Sequence, residues 1–154
     1  MQHGQIQSIK RDLIIPGDND RTVFDSTALQ QLAESIRQDG LTQPITVRPV
    51  SFCPQCSRRE IQPFACSCDT ELQARYEIVA GERRFRACSL LGMDEIPAIV
   101  RTLDDEQAAA IMLLENIQRV DINPIDEARA YQKRMQLGWS LAKLSEQTKS
   151  LLRA

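Results

Sequence analysis

A short stretch in the middle of the chain concentrates cationic side chains at a predicted helix start, with arginines at Arg83, Arg84 and Arg86. The N-terminal end of a helix dipole is positive, so three guanidinium groups there carry an electrostatic cost. An anion held by free backbone N–H groups and guanidinium forks would offset that cost, and phosphate suits both kinds of donor. The alternative is a solvated basic face, with Glu77 and Glu82 as its neutralising partners.

Four cysteines form two close pairs in a stretch of mostly polar residues, Cys53 with Cys56 and Cys66 with Cys68. Four thiolates can hold a tetrahedral Zn²⁺ ion, and few apolar side chains are available to fold this stretch without a metal. We predict structural zinc, with unligated thiols, a redox disulfide or an iron–sulfur cluster as alternatives. The single histidine, His3, lies far off in the sequence, which argues against a histidine-based catalytic metal site.

The arginines need a strand and a helix to position them. Residues 76–80 contain β-branched Ile78 and Val79, which predicts a short buried strand. Gly81 allows a sharp turn and a close approach by a ligand. The helix that follows has Phe85, Cys88 and Leu91 at helical spacing and ends at Gly92, and Cys88 is expected in the core.

The rest of the chain predicts an alternation of strands and helices, followed by helices only. The predicted elements are a strand at 13–15, a helix at 27–39 capped by Ser26 or Thr27 and ended by Gly40, strands at 45–48 and 95–100, and a helix at 104–118. Pro97 suggests that the strand at 95–100 lies at an edge or begins there.

The C-terminal helices begin at Asn123, the expected N-cap of a helix that runs to Gly138. Its inward-facing residues are predicted to be Ala128, Tyr131 and Met135, and Ser140 can cap one more short helix. We therefore predict the α+β class, with a domain at 1–120 that carries the cysteine-rich insertion at 51–70. A helical segment at 121–154 follows it.

Composition limits the classes of function. The 154 residues are 42% hydrophobic and 26% charged with a net charge of −2, as in a soluble globular protein. This balance argues against a broadly basic nucleic-acid binder. No apolar run approaches the roughly 20 residues of a membrane span, and the first residues do not form a signal peptide. We expect no membrane partner and a cytoplasmic location.

Three boxes of residues, in order, resemble the ParB-type chromosome and plasmid partition proteins. The central box is Gly81-Glu82-Arg83-Arg84-Phe85-Arg86-Ala87, which resembles the GERRxRA box of that family. The first runs from Phe24-Asp25 through Gln43-Pro44-Ile45 to Val47-Arg48, and the third from Glu115-Asn116-Ile117-Gln118-Arg119 to Glu127-Ala128. The cysteine stretch is absent from the usual family pattern.

The resemblance implies a ParB/sulfiredoxin-like fold that binds CTP with Mg²⁺ and hydrolyses CTP slowly. Nucleotide binding would close two protomers into a homodimeric clamp around DNA. It also implies nucleotide-binding residues at Arg21, Thr42, Gln43, Pro44, Ile45, Gly81, Glu82, Arg83, Arg84, Arg86, Ala87, Glu115, Asn116 and Arg119. Glu115 and Asn116 would take the Mg²⁺, while Glu82 and Arg84 would be the catalytic residues. In the alternative reading Glu82 only pairs with an arginine, and Glu115 with Arg119.

Residues 138–154 resemble the start of the family's helix-turn-helix, with too few residues for the recognition helix. We therefore expect DNA binding through the full-length protein and weak or no specific DNA binding by these 154 residues. A partition ATPase is a further partner implied by the resemblance. The competing functions are a small-molecule kinase and a regulatory or adaptor protein that does not hydrolyse nucleotide. The cysteine insertion, with Arg58 and Arg59, could contact a partner or DNA.

Overall fold

The computed structural model describes residues 5–17, 25–68 and 70–117, together with 125, 128, 131, 132, 135, 136, 138–143, 145 and 146. The elements in the described residues are β1 (Ile6–Lys10), a 3₁₀ turn (Arg11–Leu13), β2 (Ile14–Ile15), α1 (Ser26–Asp39), β3 (Ile45–Phe52), β4 (Arg59–Glu60), β5 (Gln73–Ala80), α2 (Glu82–Leu90), β6 (Glu95–Val100) and α3 (Asp105–Ile117). The predicted α+β class is confirmed.

The strands in the described part of the chain form one mixed sheet in the order β1-β6-β3-β5-β2, and β4 pairs with the end of β3. β3 runs antiparallel to β5 and parallel to β6. The prediction of an edge at Pro97 is wrong, because β6 lies between β1 and β3. Pro97 pairs with Ser8 of β1, while β3 pairs with β6 only from Ala98 to Val100.

The core forms where α1 and α2 contact each other and pack on the sheet. The sheet supplies Ile45, Val47, Ile78, Ile96 and Ala98, and the helices supply Ala33, Ile36, Ala87 and Cys88. Ile45 and Val47 lie in this core as predicted, but Arg48 and Val50 are buried as well, so β3 is more deeply buried than the predicted half-buried strand. The predicted core position of Cys88 is confirmed, since its side chain is fully buried.

The sequence predicted the C-terminal end of α1 correctly but misplaced its N-cap. Its N-cap is Asp25, whose carboxylate accepts a hydrogen bond from the Thr27 N–H at 2.9 Å. The prediction of Ser26 or Thr27 was therefore wrong by one or two residues. Gly40 ends the helix as predicted, with φ at 78° and its N–H donating to the Ile36 carbonyl.

Four strand features were not predicted: β1, the last residues of β3, β4 and the first residues of β5. β1 was missed because its five residues show no alternation of apolar and polar residues. In the structure, only Ile9 of the five is buried. β3 continues past Arg48 to Phe52, through Pro49, and carries the sheet directly into the cysteine-rich insertion.

A buried ion-pair network crosses the sheet at the middle of β3. Glu77 on β5 is 2% exposed and lies directly opposite Arg48 on β3. Its Oε2 accepts from Arg48 Nε at 2.6 Å, and its Oε1 lies 3.1 Å from Arg59 Nε of β4. Both carboxylate oxygens are thus paired with guanidinium groups, which is the arrangement that a buried charge requires.

The chain divides into two compact units, residues 1–17 with 23–104, and residues 18–22 with 105–154. The sequence had predicted a boundary near 120–123, whereas this division groups α3 with the C-terminal residues. None of the helices in the described residues is both long enough and apolar enough to cross a membrane.

The described C-terminal residues are helical at 125, 128, 131, 132, 135 and 136, and again at 141–143, 145 and 146. The inward placement predicted for Ala128 and Met135 is wrong, because both are exposed, while Tyr131 is partly buried. Ser140 caps the last helix as predicted, accepting a hydrogen bond from the Lys143 N–H at 3.2 Å. The predicted N-cap at Asn123 lies outside the described residues.

We expect Glu77→Ala to lower the free energy of unfolding by about 3–5 kcal/mol, because it leaves the largely buried Arg48 guanidinium without its carboxylate. Urea denaturation followed by circular dichroism measures this loss. Glu34→Ala is the matched control, since Glu34 pairs with Arg37 on the exposed face of α1. Equal denaturation midpoints for the two variants would contradict the structural role of the buried network.

Candidate functional site

The turn from β5 into α2 depends on Gly81. Its φ of 96° lies in the left-handed region, and it is the N-cap of α2. A Cβ added there would lie 3.0 Å from Ile45 Cγ2 and 3.2 Å from the Arg84 Cζ atom. Gly81 has no side chain to cap the first turn, so the leading N–H groups of α2, which form the positive end of the helix dipole, receive no side-chain hydrogen-bond acceptor from the N-cap residue.

Arg84 links this turn to the loop before β3. Its Nη1 donates to the carbonyl oxygens of Gln43 at 2.9 Å and Pro44 at 2.7 Å. One guanidinium nitrogen therefore holds two consecutive carbonyls of the loop against the first turn of α2. The predicted site residues at 43–44 and at 81–84 are brought together by this contact.

Glu82 is buried in the first turn of α2, with 6% of its surface exposed. Its Oε1 pairs with Arg86 Nε at 3.0 Å. Its Oε2 is buried and has no hydrogen-bond donor among the described residues. A buried carboxylate oxygen without a donor is unusual, and its location in the first helical turn is where negative charge is favoured.

The alternative interpretation of the arginines is therefore half right. Glu82 does neutralise Arg86, but the expectation for Glu77 was wrong, since Glu77 pairs with Arg48 and Arg59 instead. Arg83 is partly buried. Arg84 is partly buried as well, whereas Arg86 is exposed, so the three arginines are neither all in solvent nor all paired with acidic neighbours.

Two other predicted contacts are placed in the core rather than at a surface. Ile45 and Ala87 have no exposed surface, so neither residue offers a contact to a ligand in this conformation. Thr42 and Gln43 are exposed beside them. The loop from 42 to 45 thus offers exposed polar groups on one side and an anchor in the core on the other.

The remaining predicted nucleotide contacts belong to the second compact unit of the chain. Glu115 is partly buried on α3, which belongs to the second compact unit. Arg21, Arg119 and the side chain of Asn116 lie outside the described residues. The predicted Mg²⁺ pair, Glu115 and Asn116, therefore stays a prediction.

The four paired cysteines of the insertion converge on one point. The Sγ atoms of Cys53, Cys56, Cys66 and Cys68 all lie within 4.8 Å of one another. The Cys66 sulfur is 3.4 Å from that of Cys53 and 3.5 Å from that of Cys56. Four sulfurs around a tetrahedral zinc, with bonds of about 2.3 Å, would be about 3.8 Å apart, so this group can hold a metal ion.

Hydrogen bonds within the cluster shift the pKa values of its thiols in both directions. The Cys56 N–H donates to Cys53 Sγ and lowers the pKa of Cys53 to about 7. Hydrogen bonding with the Cys66 sulfur raises the pKa of Cys68 to about 12. The Cys88 thiol is different, because burial in the core raises its pKa away from any such cluster.

Sequence reasoning missed the ion pair between Arg48 and Glu77. The available signal was a pair of charged residues interrupting two apolar strands, at positions that an antiparallel register places opposite each other. Arg59 was considered only as a charge for partner contact. In the structure it reaches Glu77, and its Nη1 donates to the Pro16 carbonyl at 2.6 Å.

A model of the ParB N-terminal domain matches residues 1–117, which is more than half of the chain. This chain belongs to the ParB N-terminal domain family. The predicted resemblance is confirmed, and the matched range contains the Gly81 turn and the loop that Arg84 holds. It also spans the cysteine insertion.

Curated relatives of the family carry two kinds of name. A "Nucleoid occlusion protein" from Listeria monocytogenes is 44% identical over 128 residues, which cover 82% of this chain and 38% of the relative. A "Probable chromosome-partitioning protein ParB" from Pseudomonas putida is 41% identical over 136 residues, covering 88% of this chain and 38% of the relative. The chain thus spans less than half the length of the curated relatives it matches.

Two solved structures of the C-terminally truncated chromosome-partitioning protein ParB from Caulobacter crescentus are also similar. The complex with CTP-γ-S is 31% identical with a TM-score of 0.56, and the match covers 94% of this chain and 71% of that one. The complex with the centromeric parS site is 29% identical with a TM-score of 0.61, covering 93% and 64% respectively.

We expect Gly81→Ala to destabilise the fold by about 1–3 kcal/mol, the usual cost of a strained backbone position. Its Cβ would also press on Ile45 Cγ2. Gly92→Ala is the matched control, because Gly92 has a φ of 69° but open space around its Cβ position. Thermal unfolding of both variants compares them, and a larger loss for Gly92→Ala would contradict the close approach at Gly81.

Proposed function

We propose that this chain is the nucleotide-binding part of a ParB-like DNA-partition protein and that it binds CTP where β5 turns into α2. The observation that carries the proposal is the Arg84 contact, which assembles the Gly81 turn and the loop at 42–45 into one surface. The likeness to a family member complexed with CTP-γ-S supports CTP as the nucleotide.

The residues of the turn fit a polyphosphate. The first N–H groups of α2 can donate to phosphate oxygens without competition from a capping side chain, and the helix dipole favours the negative charge. Arg83 is close enough in sequence to add a guanidinium donor. Arg84, already committed to two carbonyls, holds the loop in place and adds positive charge. The exposed Thr42 and Gln43 would face the base.

Two cations belong to the proposal. Mg²⁺ would accompany the nucleotide and bind Glu115 and Asn116, because it prefers carboxylate and carbonyl oxygens. Zn²⁺ is the ion we assign to the cysteine cluster, since soft thiolates select zinc over magnesium.

We include slow CTP hydrolysis in the proposal. Water would attack the γ-phosphorus, the bond to the β–γ bridging oxygen would break, and CDP and inorganic phosphate would leave. Glu82 Oε2 is the acceptor that could orient the water, because Arg86 already occupies Oε1. Equal rates of phosphate release by the wild type and by Glu82→Gln would contradict this role, and no release at all would favour a regulator without hydrolysis.

The whole protein would act on DNA, as the parS complex of the similar Caulobacter protein suggests. We propose a homodimer that closes on nucleotide binding, a cytoplasmic location on DNA, and a partition ATPase as partner. Curated relatives named for nucleoid occlusion and for chromosome partition match about equally well. The proposal therefore concerns the nucleotide chemistry that both would share.

Calorimetry with CTP, ATP, GTP and UTP, with and without Mg²⁺, tests the proposal. We expect saturable binding of CTP and no such binding of the other three nucleotides. Arg84→Ala should bind CTP at least about tenfold more weakly, because the loop at 42–45 loses its hydrogen bonds from a charged group, and such a bond contributes about 1.5–3 kcal/mol. Arg37→Ala is the control, since Arg37 pairs with Glu34 on the exposed face of α1.

Four outcomes would overturn parts of this account. Equal binding of all four nucleotides would exclude CTP selectivity, and ATP-dependent phosphorylation of a small molecule would favour the kinase. Equal affinities of the Arg84 and Arg37 variants would remove the arginine from the site. Glu115→Ala should weaken binding only in the presence of Mg²⁺, and an equal effect without the metal would contradict its assigned role.

A further inference from the structure

The cysteine insertion has almost no apolar core of its own. Its strand, β4, is two residues long. Phe64 is partly exposed and packs under the guanidinium of Arg58, whose Cζ lies 4.7 Å from the ring centroid. Among the described residues of the insertion, the fully buried one is Cys53, which belongs to the four clustered thiols. What organises this segment is therefore the cysteine cluster rather than hydrophobic burial.

The first pair of cysteines lies in a tight turn that leads directly into β4. The Ser57 N–H donates to the Cys53 carbonyl and the Cys53 N–H donates to the Arg58 carbonyl, both at 2.9 Å. Ser57 has a φ of 59°, in the left-handed region that L side chains seldom adopt. A ligand that binds Cys53 and Cys56 together would offset the cost of this turn.

This turn determines where Arg59 lies. Phe52 pairs with Arg59 in the register of β3 and β4, and the turn of six residues between them contains both Cys53 and Cys56. The Arg59 side chain then reaches Glu77 Oε1 and the Pro16 carbonyl. The insertion is thus fastened to the buried ion pair of the sheet by a single guanidinium group.

We propose that Cys53, Cys56, Cys66 and Cys68 bind one Zn²⁺ ion, and that the metal holds the insertion in the conformation that places Arg59 on Glu77. With zinc bound, Glu77 has a guanidinium partner on each oxygen. Without zinc, the turn at 53–58 loosens and Arg59 moves away. Glu77 then keeps Arg48 as its guanidinium partner, and the Pro16 carbonyl loses its hydrogen-bond donor. Zinc thereby stabilises the sheet indirectly, through Arg59. We call this role the brace, and it is independent of nucleotide binding.

The metal assignment is tested on the full chain, purified under reducing conditions. We expect one zinc per chain by elemental analysis, and Co²⁺ substitution should give the visible absorption of tetrahedral cobalt with thiolate charge-transfer bands. Cys66→Ser should lose stoichiometric metal, whereas Cys88→Ser, a change in the core away from the cluster, should retain it. No uptake by the reduced, folded wild type, or an iron–sulfur chromophore in place of zinc, overturns the proposal.

The brace is tested separately by Arg59→Gln, which leaves all four cysteines in place. We expect this variant to bind one zinc, but to show a smaller zinc-dependent rise in unfolding midpoint than the wild type. Arg75→Gln, a change on β5 that removes a guanidinium bonded only to its neighbours Gln73 and Ala74 in the described residues, should keep the full rise. An equal rise in the Arg59 variant and the wild type overturns the coupling.

The wild-type measurements keep the proposal testable if Cys66→Ser fails to fold. The cobalt spectrum of the wild type reports the number and kind of ligands without any substitution, and an octahedral spectrum overturns the assignment. If the wild type binds zinc but does not bind CTP, only the proposed nucleotide site is contradicted.

Discussion

The contact between Arg84 and the carbonyls of Gln43 and Pro44 determines the form of the candidate site. It requires Gly81, because a side chain at that position would meet both Ile45 and the Arg84 guanidinium. Once this contact is made, the start of α2 and the loop before β3 act as one surface. Behind it, Ile45 and Ala87 are fully buried in the core and keep that surface from shifting.

A second constraint lies at the middle of β3. Arg48 and Glu77 face each other across the sheet, and Arg59 completes the pairing of the carboxylate. β3 thus leads from the candidate site at Ile45 to the cysteine insertion beyond Phe52. An ion that organises the insertion and a ligand that binds the turn would act on opposite ends of the same strand.

Much of this fold could be predicted because the signals are local. Helical spacing gave α1 and α2, glycines marked their ends, and paired cysteines indicated a common cluster. β1 left no signal, since its Ile6 is 67% exposed and only Ile9 is buried. The partner of Glu77 depends on strand register. The exposure of Ala128 and Met135 depends on how the C-terminal helices pack. Neither is a property of neighbouring residues.

The arginine spacing predicted an anion site and, as an alternative, an ion pair between Glu82 and an arginine. It did not predict that Arg84 would donate to the carbonyls of Gln43 and Pro44. The most direct test is a titration of isotope-labelled protein with CTP and Mg²⁺, followed through backbone amide resonances. The account predicts the largest shifts at residues 81–84 and 42–45, with little change in the cysteine insertion. Shifts confined to other parts of the chain, with the amides of 81–84 unmoved, would contradict it.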